Sequence, residues 1–401
     1  MDKEMNDVPV IPRLLFVDLG YSQRHKHGED ICGDAFKFQK SEGGRVIAVL
    51  SDGLGSGVKA NILASMTATM ALKFASENAD HILHAADIMM DALPICQVRK
   101  ISYATFTIVN IDPRGQARII EMGNPPFLLF RFGEEIQVPF QQLESEKWQN
   151  RKMRVYDFSL EAADRLIFFS DGISQAGMGS HAYPLGWRKR GCAEFIYHRL
   201  IDRPAISSHE LSEEVINQAL RKEPNGVNKD DMTCVSLFFR FPRKMLLFTG
   251  PPYNEKSDKA CADFVANFEG DKVISGGTTA EIVSRILGRK LKMDLHNMCS
   301  DLPPMSTMEG INLITEGVFT LTKTAQYLEN YDGTHPDDPA GKLVDIMLRN
   351  DIIEILAGTR VNEAHQDPRL PQDLELRRTI VRRLANILEK NFLKKVNIKY
   401  V

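Results

Sequence analysis

The sequence predicts an α+β domain over residues 1–241 and a smaller α/β domain with a mostly parallel sheet over residues 245–401. Three observations support this prediction. A chain of 401 residues is longer than one hydrophobic core usually organises. In the first part, strand-like runs follow one another across short turns, which is typical of antiparallel sheets. After residues 241–244 strands and helices alternate, which is typical of a parallel sheet covered by helices.

The elements of the first domain follow from runs of apolar and β-branched residues and from helical periodicity. The predicted strands cover residues 14–19, 46–50, 103–111, 117–122, 127–132, 165–170 and 232–239. The predicted helices cover residues 59–78, 80–93, 192–203 and 208–222. Strands flanked by helices in this way indicate a layered α+β domain.

The elements of the second domain alternate in type along the chain. The predicted strands cover residues 246–249, 273–275, 311–315, 352–356 and 396–400. The predicted helices cover residues 258–267, 279–287, 319–327 and 374–389. This order predicts a sheet whose loops gather at one carboxyl edge.

Composition excludes several functional classes. Hydrophobic residues make up 43% and charged residues 26% of the chain, which is typical of a globular protein. A formal net charge of −3 argues against nucleic acid as the main partner, because phosphate backbones are bound by basic surfaces. We find no apolar run of membrane-spanning length, no secretory signal and no paired or zinc-spaced cysteines, so we expect a cytoplasmic protein with reduced thiols and no membrane association.

Four aspartate motifs adjoin predicted strand ends in the first domain. They are Cys32-Gly33-Asp34, Ser51-Asp52-Gly53-Leu54-Gly55-Ser56-Gly57, Ser170-Asp171-Gly172 and Lys229-Asp230-Asp231-Met232-Thr233. Taken singly, an Asp-Gly pair is a common surface turn. Taken together, the four carboxylates are the hard oxygen ligands that Mg²⁺ and Mn²⁺ prefer, and two such ions can activate a water and clamp a phosphate. The glycines allow tight turns, and the Gly53 carbonyl is a further candidate ligand.

These motifs, together with Met122-Gly123-Asn124-Pro125-Pro126, resemble the stage II sporulation protein E family of serine/threonine phosphatases within the type 2C superfamily. The resemblance covers residues 1–241 and implies a central β-sandwich flanked by helices, with two manganese or magnesium ions at one edge. It implies that Asp52 bridges the ions, that Asp171 and Asp230 complete one site, and that Asp34 and the Gly53 carbonyl serve the other.

The same resemblance implies that a metal-bound water attacks phosphorus, and that the substrate is a phosphorylated regulator similar to an anti-sigma-factor antagonist. Asn124 stands where the family usually carries histidine, so we assign it no catalytic role. Glu29 is an alternative to Asp34 as the outer metal ligand, the one that serves the second ion. Arg24 and Lys26 are the nearest basic residues that could meet a phosphate.

Rival interpretations of the first domain are weaker. Residues 234–240 match the Cys-x5-Arg pattern of cysteine phosphatases, but the segment is a β-branched and aromatic strand without the glycines of a phosphate-binding loop. Residues 53–57 lack the third glycine of a dinucleotide fingerprint. The remaining alternative is a non-catalytic sensor whose second domain binds a small anionic ligand or a partner protein.

In the second domain, four predicted strands end in glycine-rich or polar loops. A ligand site there would include Gly276, Gly277 and Thr278 at a helix N-terminus, which suits an anion, and Arg360 would add positive charge. A capping box over residues 278–281 explains the same threonine and glutamate without a ligand. The paired arginines 377–378 and 382–383 are typical of the solvated face of an amphipathic helix.

Overall fold

A computed structural model describes residues 15–41, 43–77, 104–144, 152–293, 303–331, 334–360 and 370–401, with the backbone alone over 76–77, at 104 and over 370–375. The predicted helix over residues 80–93 lies outside the described residues. The chain divides into two compact units, Met1–Phe241 and Pro242–Val401. No helix in these described ranges has both the length and the apolar character that crossing a membrane requires.

The first unit contains two antiparallel sheets. The five-stranded sheet has the order β1-β11-β10-β6-β7, and the six-stranded sheet has the order β2-β3-β4-β5-β9-β8. The strands are β1 Phe16–Arg24, β2 Ala35–Lys40, β3 Val46–Gly53, β4 Ala104–Ile111, β5 Gln116–Met122, β6 Leu128–Arg131, β7 Glu134–Ile136, β8 Gln141–Glu144, β9 Lys152–Ser159, β10 Arg165–Phe169 and β11 Met232–Arg240. Helices α1 Gly57–Glu77, α2 Asp171–Ser174, α3 Arg188–Asp202 and α4 Ser208–Leu220 complete the unit.

Alternating side chains bury both faces of the central strands. On β3, Ile47 and Val49 pack with the alanines of α1, which covers the outer face of the six-stranded sheet. Helices α3 and α4 pack in the same way on the five-stranded sheet, around Ile167 and Phe169 of β10. Phe36 of one sheet and Phe168 of the other have ring centroids 6.3 Å apart. This layering confirms the predicted α+β sandwich flanked by helices.

Helix α4 approaches β1 so closely that a side chain has no room between them. A Cβ atom on Gly20 would lie 2.0 Å from the backbone nitrogen of His209. The hydroxyl of Ser208 donates a hydrogen bond to the Asp18 carbonyl, and that of Ser212 donates one to the Gly20 carbonyl. Glycine at position 20 is therefore a steric requirement of this helix–strand contact.

The second unit has a seven-stranded sheet with the order β14-β15-β16-β13-β12-β17-β18. Its strands are β12 Lys244–Thr249, β13 Asp271–Ser275, β14 Lys292–Met293, β15 Ser306–Thr307, β16 Leu313–Thr315, β17 Ile352–Ala357 and β18 Lys395–Tyr400. Strands β12, β13, β16, β17 and β18 pair in parallel, while β14 and β15 form an antiparallel margin. This confirms the mostly parallel sheet.

The helices of the second unit are α5 Lys256–Asn267, α6 Gly277–Leu287, α7 Val318–Glu329, α8 Pro339–Arg349 and α9 Leu370–Phe392. Helix α8 was not predicted from the sequence, although its Asp338-Pro339 start is a recognisable signal. The Asp338 side chain accepts a hydrogen bond from the Gly341 nitrogen, and proline suits the first helical position. The capping box predicted over residues 278–281 is wrong, because α6 begins at Gly277 and its N-cap, Gly276, has no side chain to cap it.

Candidate metal centre

Strand register brings the four predicted aspartates to one edge of the sandwich. Ala35 pairs with Ser51, so Asp34 and Asp52 occupy the next positions on neighbouring strands. Phe169 pairs with Cys234, so the chain leaves β10 at Asp171 close to where Asp230 enters β11. We call this group of Asp34, Asp52, Asp171 and Asp230 the carboxylate edge.

Asp34 is almost fully buried and is held by hydroxyl groups from the other sheet. It is 3% exposed, and its Oδ2 accepts a hydrogen bond of 2.6 Å from the hydroxyl of Thr233. The backbone nitrogen of Thr233 in turn donates to the hydroxyl of Ser170. Burial raises the pKa of Asp34 to about 7, against the opposing effect of these hydroxyl groups. Its carboxylate is therefore fixed in place and easily neutralised.

Asp52 lies among the other three carboxylates. Burial raises its pKa to about 10, and the negative charges of Asp34, Asp171 and Asp230 add to the shift. The interaction between the Asp52 and Asp171 side chains adds to the raised pKa of Asp52 and acts to lower that of Asp171. Such a pair is stable only with a proton or a cation between the oxygens.

Asp171 begins the short helix α2. Its Oδ2 accepts a hydrogen bond of 2.7 Å from the amide of Gln175, one helical turn further on. Burial raises the pKa of Asp171, while the hydrogen bonds from Asp52 and Gln175 act in the opposite direction. Gln175 thus orients this carboxylate without neutralising it.

The pair Asp230-Asp231 contributes two carboxylates with different environments. Burial, together with the negative charge of Asp171, raises the pKa of Asp230 to about 6, and the charge of Lys26 opposes the shift. Asp231 is 4% exposed, and its Oδ1 accepts a hydrogen bond of 2.9 Å from the Lys26 nitrogen. Its Oδ2 is buried without a hydrogen-bond partner among the described residues. A buried carboxylate oxygen in this state is costly unless something binds it.

Three glycines let the segments of the carboxylate edge approach one another. A Cβ atom on Gly53 would lie 2.3 Å from the Ala60 carbonyl oxygen, and one on Gly172 would lie 2.1 Å from the Asp231 carbonyl oxygen. A Cβ atom on Gly33 would lie 2.6 Å from Oδ2 of Asp231. The glycines in the aspartate motifs therefore serve close packing between segments as well as turns.

The donor set fits divalent cations. Four carboxylates with raised pKa values and one buried, unpartnered oxygen form an excess of negative charge that hard cations relieve. As placed here, however, no group of three His, Cys, Asp or Glu side chains among the described residues is arranged so that it could hold a metal ion.

The other polar residues named from the sequence are placed differently. Glu29 accepts a hydrogen bond of 3.1 Å from the Ser56 hydroxyl, beside Gly57 at the start of α1. The charge of Asp34, by contrast, adds to the raised pKa of Asp52. Asn124 is buried and donates a hydrogen bond to the hydroxyl of Thr107. Arg24 donates to the Gln23 carbonyl.

Cys234 lies in the middle of the buried strand β11. Burial raises the pKa of its thiol to about 12, so the thiolate needed by a cysteine phosphatase is not formed near neutral pH. All nine residues of the strand are buried, which leaves no loop around the thiol to hold a phosphate. The match of this segment to the Cys-x5-Arg pattern is accidental.

Sequence reasoning missed the residues that hold the aspartates. Ser170 and Thr233 fix Asp34, Gln175 orients Asp171, and the Lys26 backbone binds Asp231. Ser170 and Thr233 belong to the aspartate motifs, so their position near an aspartate at a strand end was the available signal for this role. Gln175 could have been found from its i+4 spacing to Asp171.

The candidate residues of the second unit fall at two different loops. Gly276 precedes α6, while Gly277 and Thr278 begin it. Arg360, after β17, donates hydrogen bonds to the Pro252 carbonyl and to Asp258. The structure therefore gives Arg360 an acidic partner within its own unit.

Comparisons with known proteins support the resemblance of the first unit. The family model described as "Stage II sporulation protein E (SpoIIE)" matches residues 42–240. The phosphoserine phosphatase RsbX of Bacillus subtilis is 26% identical over 159 residues, which cover 40% of this chain and 76% of RsbX. Stage II sporulation protein E of Priestia megaterium is 21% identical over 220 residues, which cover 55% of this chain but only 36% of that protein.

Among solved structures, one contains the PP2C phosphatase domain and a regulatory fragment of SpoIIE from Bacillus subtilis. It is 20% identical, with a TM-score of 0.46, and the match covers 57% of this chain and 65% of that one. Another is RsbX in complex with magnesium, 20% identical with a TM-score of 0.38, covering 56% of this chain and 95% of RsbX. With the family match over residues 42–240, the resemblance drawn from the aspartate motifs is confirmed: this part of the first unit matches the stage II sporulation protein E family.

Proposed function

We propose that the first unit removes phosphate from serine or threonine of a regulatory protein, using two divalent cations at the carboxylate edge. The observation that carries the proposal is the convergence of four carboxylates from four separate chain segments, with raised pKa values that only protons or cations relieve. Cations bound there would supply an activated water and neutralise the phosphoryl oxygens.

The roles we propose for the ligands follow their positions. Asp52, which feels the charge of the other three carboxylates, would bridge both ions. Asp171 and Asp230 would hold one ion, and Asp34 with the Gly53 carbonyl would hold the other. All donors are oxygens, which suits Mg²⁺ or Mn²⁺. Asp231, with its unpartnered Oδ2, is an additional candidate ligand.

The surrounding side chains keep this arrangement in place before substrate arrives. Thr233 holds Asp34 and Gln175 holds Asp171, so neither carboxylate has to be ordered when an ion or a substrate binds. Lys26, whose charge reaches Asp230, is the basic side chain that we propose contacts a substrate phosphate. Protein nucleophiles have no part in this proposal, and Cys234 is buried away from any phosphate loop.

The substrate class rests on the relatives. RsbX is named a phosphoserine phosphatase, and it aligns with this chain over 76% of its own length. We propose a phosphorylated regulator of the anti-sigma-factor-antagonist kind as the substrate, and a cytoplasmic location for the reaction.

The experiment is hydrolysis of p-nitrophenyl phosphate and of a phosphoserine peptide by the full chain. We expect turnover with millimolar Mn²⁺ or Mg²⁺ and none in EDTA. The variants Asp52→Asn and Asp171→Asn should each lose several orders of magnitude of turnover, and Asp202→Asn, at an exposed position on α3, should match the wild type. Full activity in EDTA would refute the two-metal proposal. No activity with either metal would leave the alternative of a non-catalytic sensor.

A further inference from the structure

In the second unit, the chain leaves two neighbouring parallel strands toward opposite faces of the sheet. After β13 it enters α6, whose Val283 packs with Ile274 on one face. After β16 it enters α7, whose Leu321 packs with Val273 on the other face. Loops that diverge in this way leave a crevice at the carboxyl ends of the strands, which is where open α/β sheets bind ligands.

A second pair of diverging loops, after β12 and β17, is closed by backbone contacts. A Cβ atom on Gly358 would lie 2.1 Å from the Pro251 carbonyl oxygen, and the Arg360 nitrogen donates a hydrogen bond to the same oxygen. The Arg360 guanidinium is held by Asp258 and Glu255. The ligand crevice of this unit is therefore the one between β13 and β16, and Arg360 does not belong to it.

The two loops at this crevice repeat one local pattern, Gly-x-x-Thr. Gly276 and Gly317 have φ angles of 132° and 155°, which only glycine adopts readily, and each is the N-cap of the helix that follows. A Cβ atom on Gly317 would lie 3.6 Å from the Cα atom of Gly276, so the two helix starts are close together. Each pattern ends in a threonine in the first turn of its helix, Thr279 or Thr320.

Both threonines are buried with hydroxyl groups that have no partner among the described residues. Thr279 is 1% exposed and Thr320 is 0% exposed, and Oγ1 of each makes no hydrogen bond there. Oγ1 of Thr279 lies 3.2 Å from the position of a Cβ atom on Gly276, beside the crevice. Buried hydroxyl groups are almost always hydrogen-bonded in folded proteins, so two unbonded ones in the first turns of adjacent helix starts indicate a missing ligand.

The helix starts add donors and positive potential. The first N–H groups of a helix have no carbonyl partner within it, and the helix dipole places partial positive charge there. Neither α6 nor α7 has a side-chain cap or an acidic residue in its first turn. Two helix N-termini side by side therefore favour an anion with several acceptor oxygens, such as a phosphoryl group.

The rim of the crevice carries a carboxylate and an aromatic ring. Glu316, between β16 and Gly317, has an Oε2 that is buried without a partner among the described residues, and burial raises its pKa. This oxygen can accept a hydrogen bond from a ligand hydroxyl. Phe319, in the first turn of α7, is 71% exposed and offers a flat apolar surface. A bare phosphate ion would use neither group.

We propose that the crevice between β13 and β16 binds the phosphate ester of a sugar, either a nucleotide or a free sugar phosphate. The phosphoryl group contacts the N-termini of α6 and α7 and the hydroxyl groups of Thr279 and Thr320. A sugar hydroxyl donates to Glu316. In a nucleotide, the base lies against Phe319.

The test is calorimetric titration of the full chain in EDTA, which keeps cations from the carboxylate edge and so separates this site from the phosphatase. The probes are AMP, ribose 5-phosphate, inorganic phosphate and ribose. We expect both esters to bind at least about tenfold more tightly than inorganic phosphate, and ribose not to bind. AMP and ribose 5-phosphate distinguish the two sources of the ester. Absence of heat with both esters at millimolar concentration, or equal affinity for inorganic phosphate, would overturn the proposal.

Two sets of variants place the binding in this crevice. Gly277 has ordinary φ and open space around its Cβ position, so Gly277→Asp and Gly277→Asn should both fold. The acid should abolish binding of the ester by repulsion, while the amide of equal size should keep most of it. Equal losses in both variants would refute the anion contact.

Thr279→Val and Thr320→Val remove the hydroxyl groups without changing side-chain shape. Because these groups have no hydrogen-bond partner in the described part of the chain, the ligand-free melting temperature should stay the same or rise, while affinity for the ester should fall about tenfold or more. A clear fall in melting temperature with unchanged affinity would show that the hydroxyl groups are structural and would overturn their role.

Discussion

Replacing Asp52 by asparagine should make the metal-free protein more stable at neutral pH while it abolishes activity. The carboxyl of Asp52 has its pKa raised to about 10 by burial and by three neighbouring carboxylates. Asparagine has nearly the same shape, has an amide that can donate a hydrogen bond to the neighbouring Asp171, and carries no charge. It therefore keeps the packing and removes the repulsion.

The size of the effect follows from linkage between ionisation and folding. The pKa is raised in the folded state, so the unfolded chain ionises first as pH rises, and stability present below about pH 4 is lost between there and pH 10. One pKa unit corresponds to about 1.4 kcal/mol, so the loss at pH 7.5 is at most about 5 kcal/mol. Neighbouring carboxylates share protons with Asp52, which reduces the gain expected from the variant to about 2–4 kcal/mol.

The assay is urea unfolding in EDTA at pH 4.5 and pH 7.5. Both tryptophans, Trp148 and Trp187, belong to the first unit, so their fluorescence reports unfolding of that unit alone. The urea midpoint of Asp52→Asn should exceed that of the wild type at pH 7.5 and approach it at pH 4.5. With millimolar Mn²⁺ the order should reverse, because only the wild type gains stability from bound cations.

Asp202→Asn, at an exposed position of α3, controls for the general effect of removing a negative charge and should show no pH-dependent gain. A metal-free Asp52→Asn protein less stable than the wild type at pH 7.5 would refute the reasoning. An equal gain at both pH values would do so as well, because it would mean that ionisation of Asp52 does not oppose folding.

Three further predictions concern the same unit. Burial raises the pKa of Asp34 to about 7 and that of Asp230 to about 6. Mn²⁺ binding should therefore release protons, and its affinity should increase as pH rises from 6 to 8. Calorimetry in buffers of different ionisation enthalpy will measure both effects. Lys26→Met should raise KM for a phosphoserine peptide about tenfold and change kcat little, while Lys26→Arg restores KM; an unchanged KM in the methionine variant would exclude a phosphate contact. Cys234→Ser should keep kcat within about twofold. It should lower the free energy of unfolding in urea by about 1–2 kcal/mol, because it buries a more polar group. Loss of all turnover in the folded variant would contradict a metal mechanism.

The aspartates could be predicted from the sequence because each stands where an antiparallel strand begins or ends. Strands that pair in this way bring their ends together, so Asp34 and Asp52 meet through the pairing of Ala35 with Ser51. The hydroxyl group that binds Asp34 could not be predicted, because it is distant in sequence. The hydroxyl of Thr233 reaches Asp34 across 199 positions, and no local pattern specifies that bond.

In the second unit the positions of the strand ends were predicted, but the partners of the charged side chains were not. Arg360 was expected to attract a ligand, but the fold places it against Asp258. Arg377 was expected on a solvated helix face, yet its guanidinium donates to the Gly358 carbonyl and lies beside Gly250. Helical periodicity indicates which residues are apolar and which are polar. It does not say which polar residue meets another segment.

The close approach at Gly20 and at Gly172 affects how a mutational scan of this protein would be interpreted. A Cβ atom would overlap the backbone of another segment at both positions, at α4 for Gly20 and at Asp231 for Gly172. A growth selection would therefore score every substitution at either glycine as a loss of function, although neither residue has a side chain that could take part in the chemistry. Only a parallel measurement of soluble abundance distinguishes them from Asp52 and Asp171, where variants should accumulate to normal levels and remain inactive.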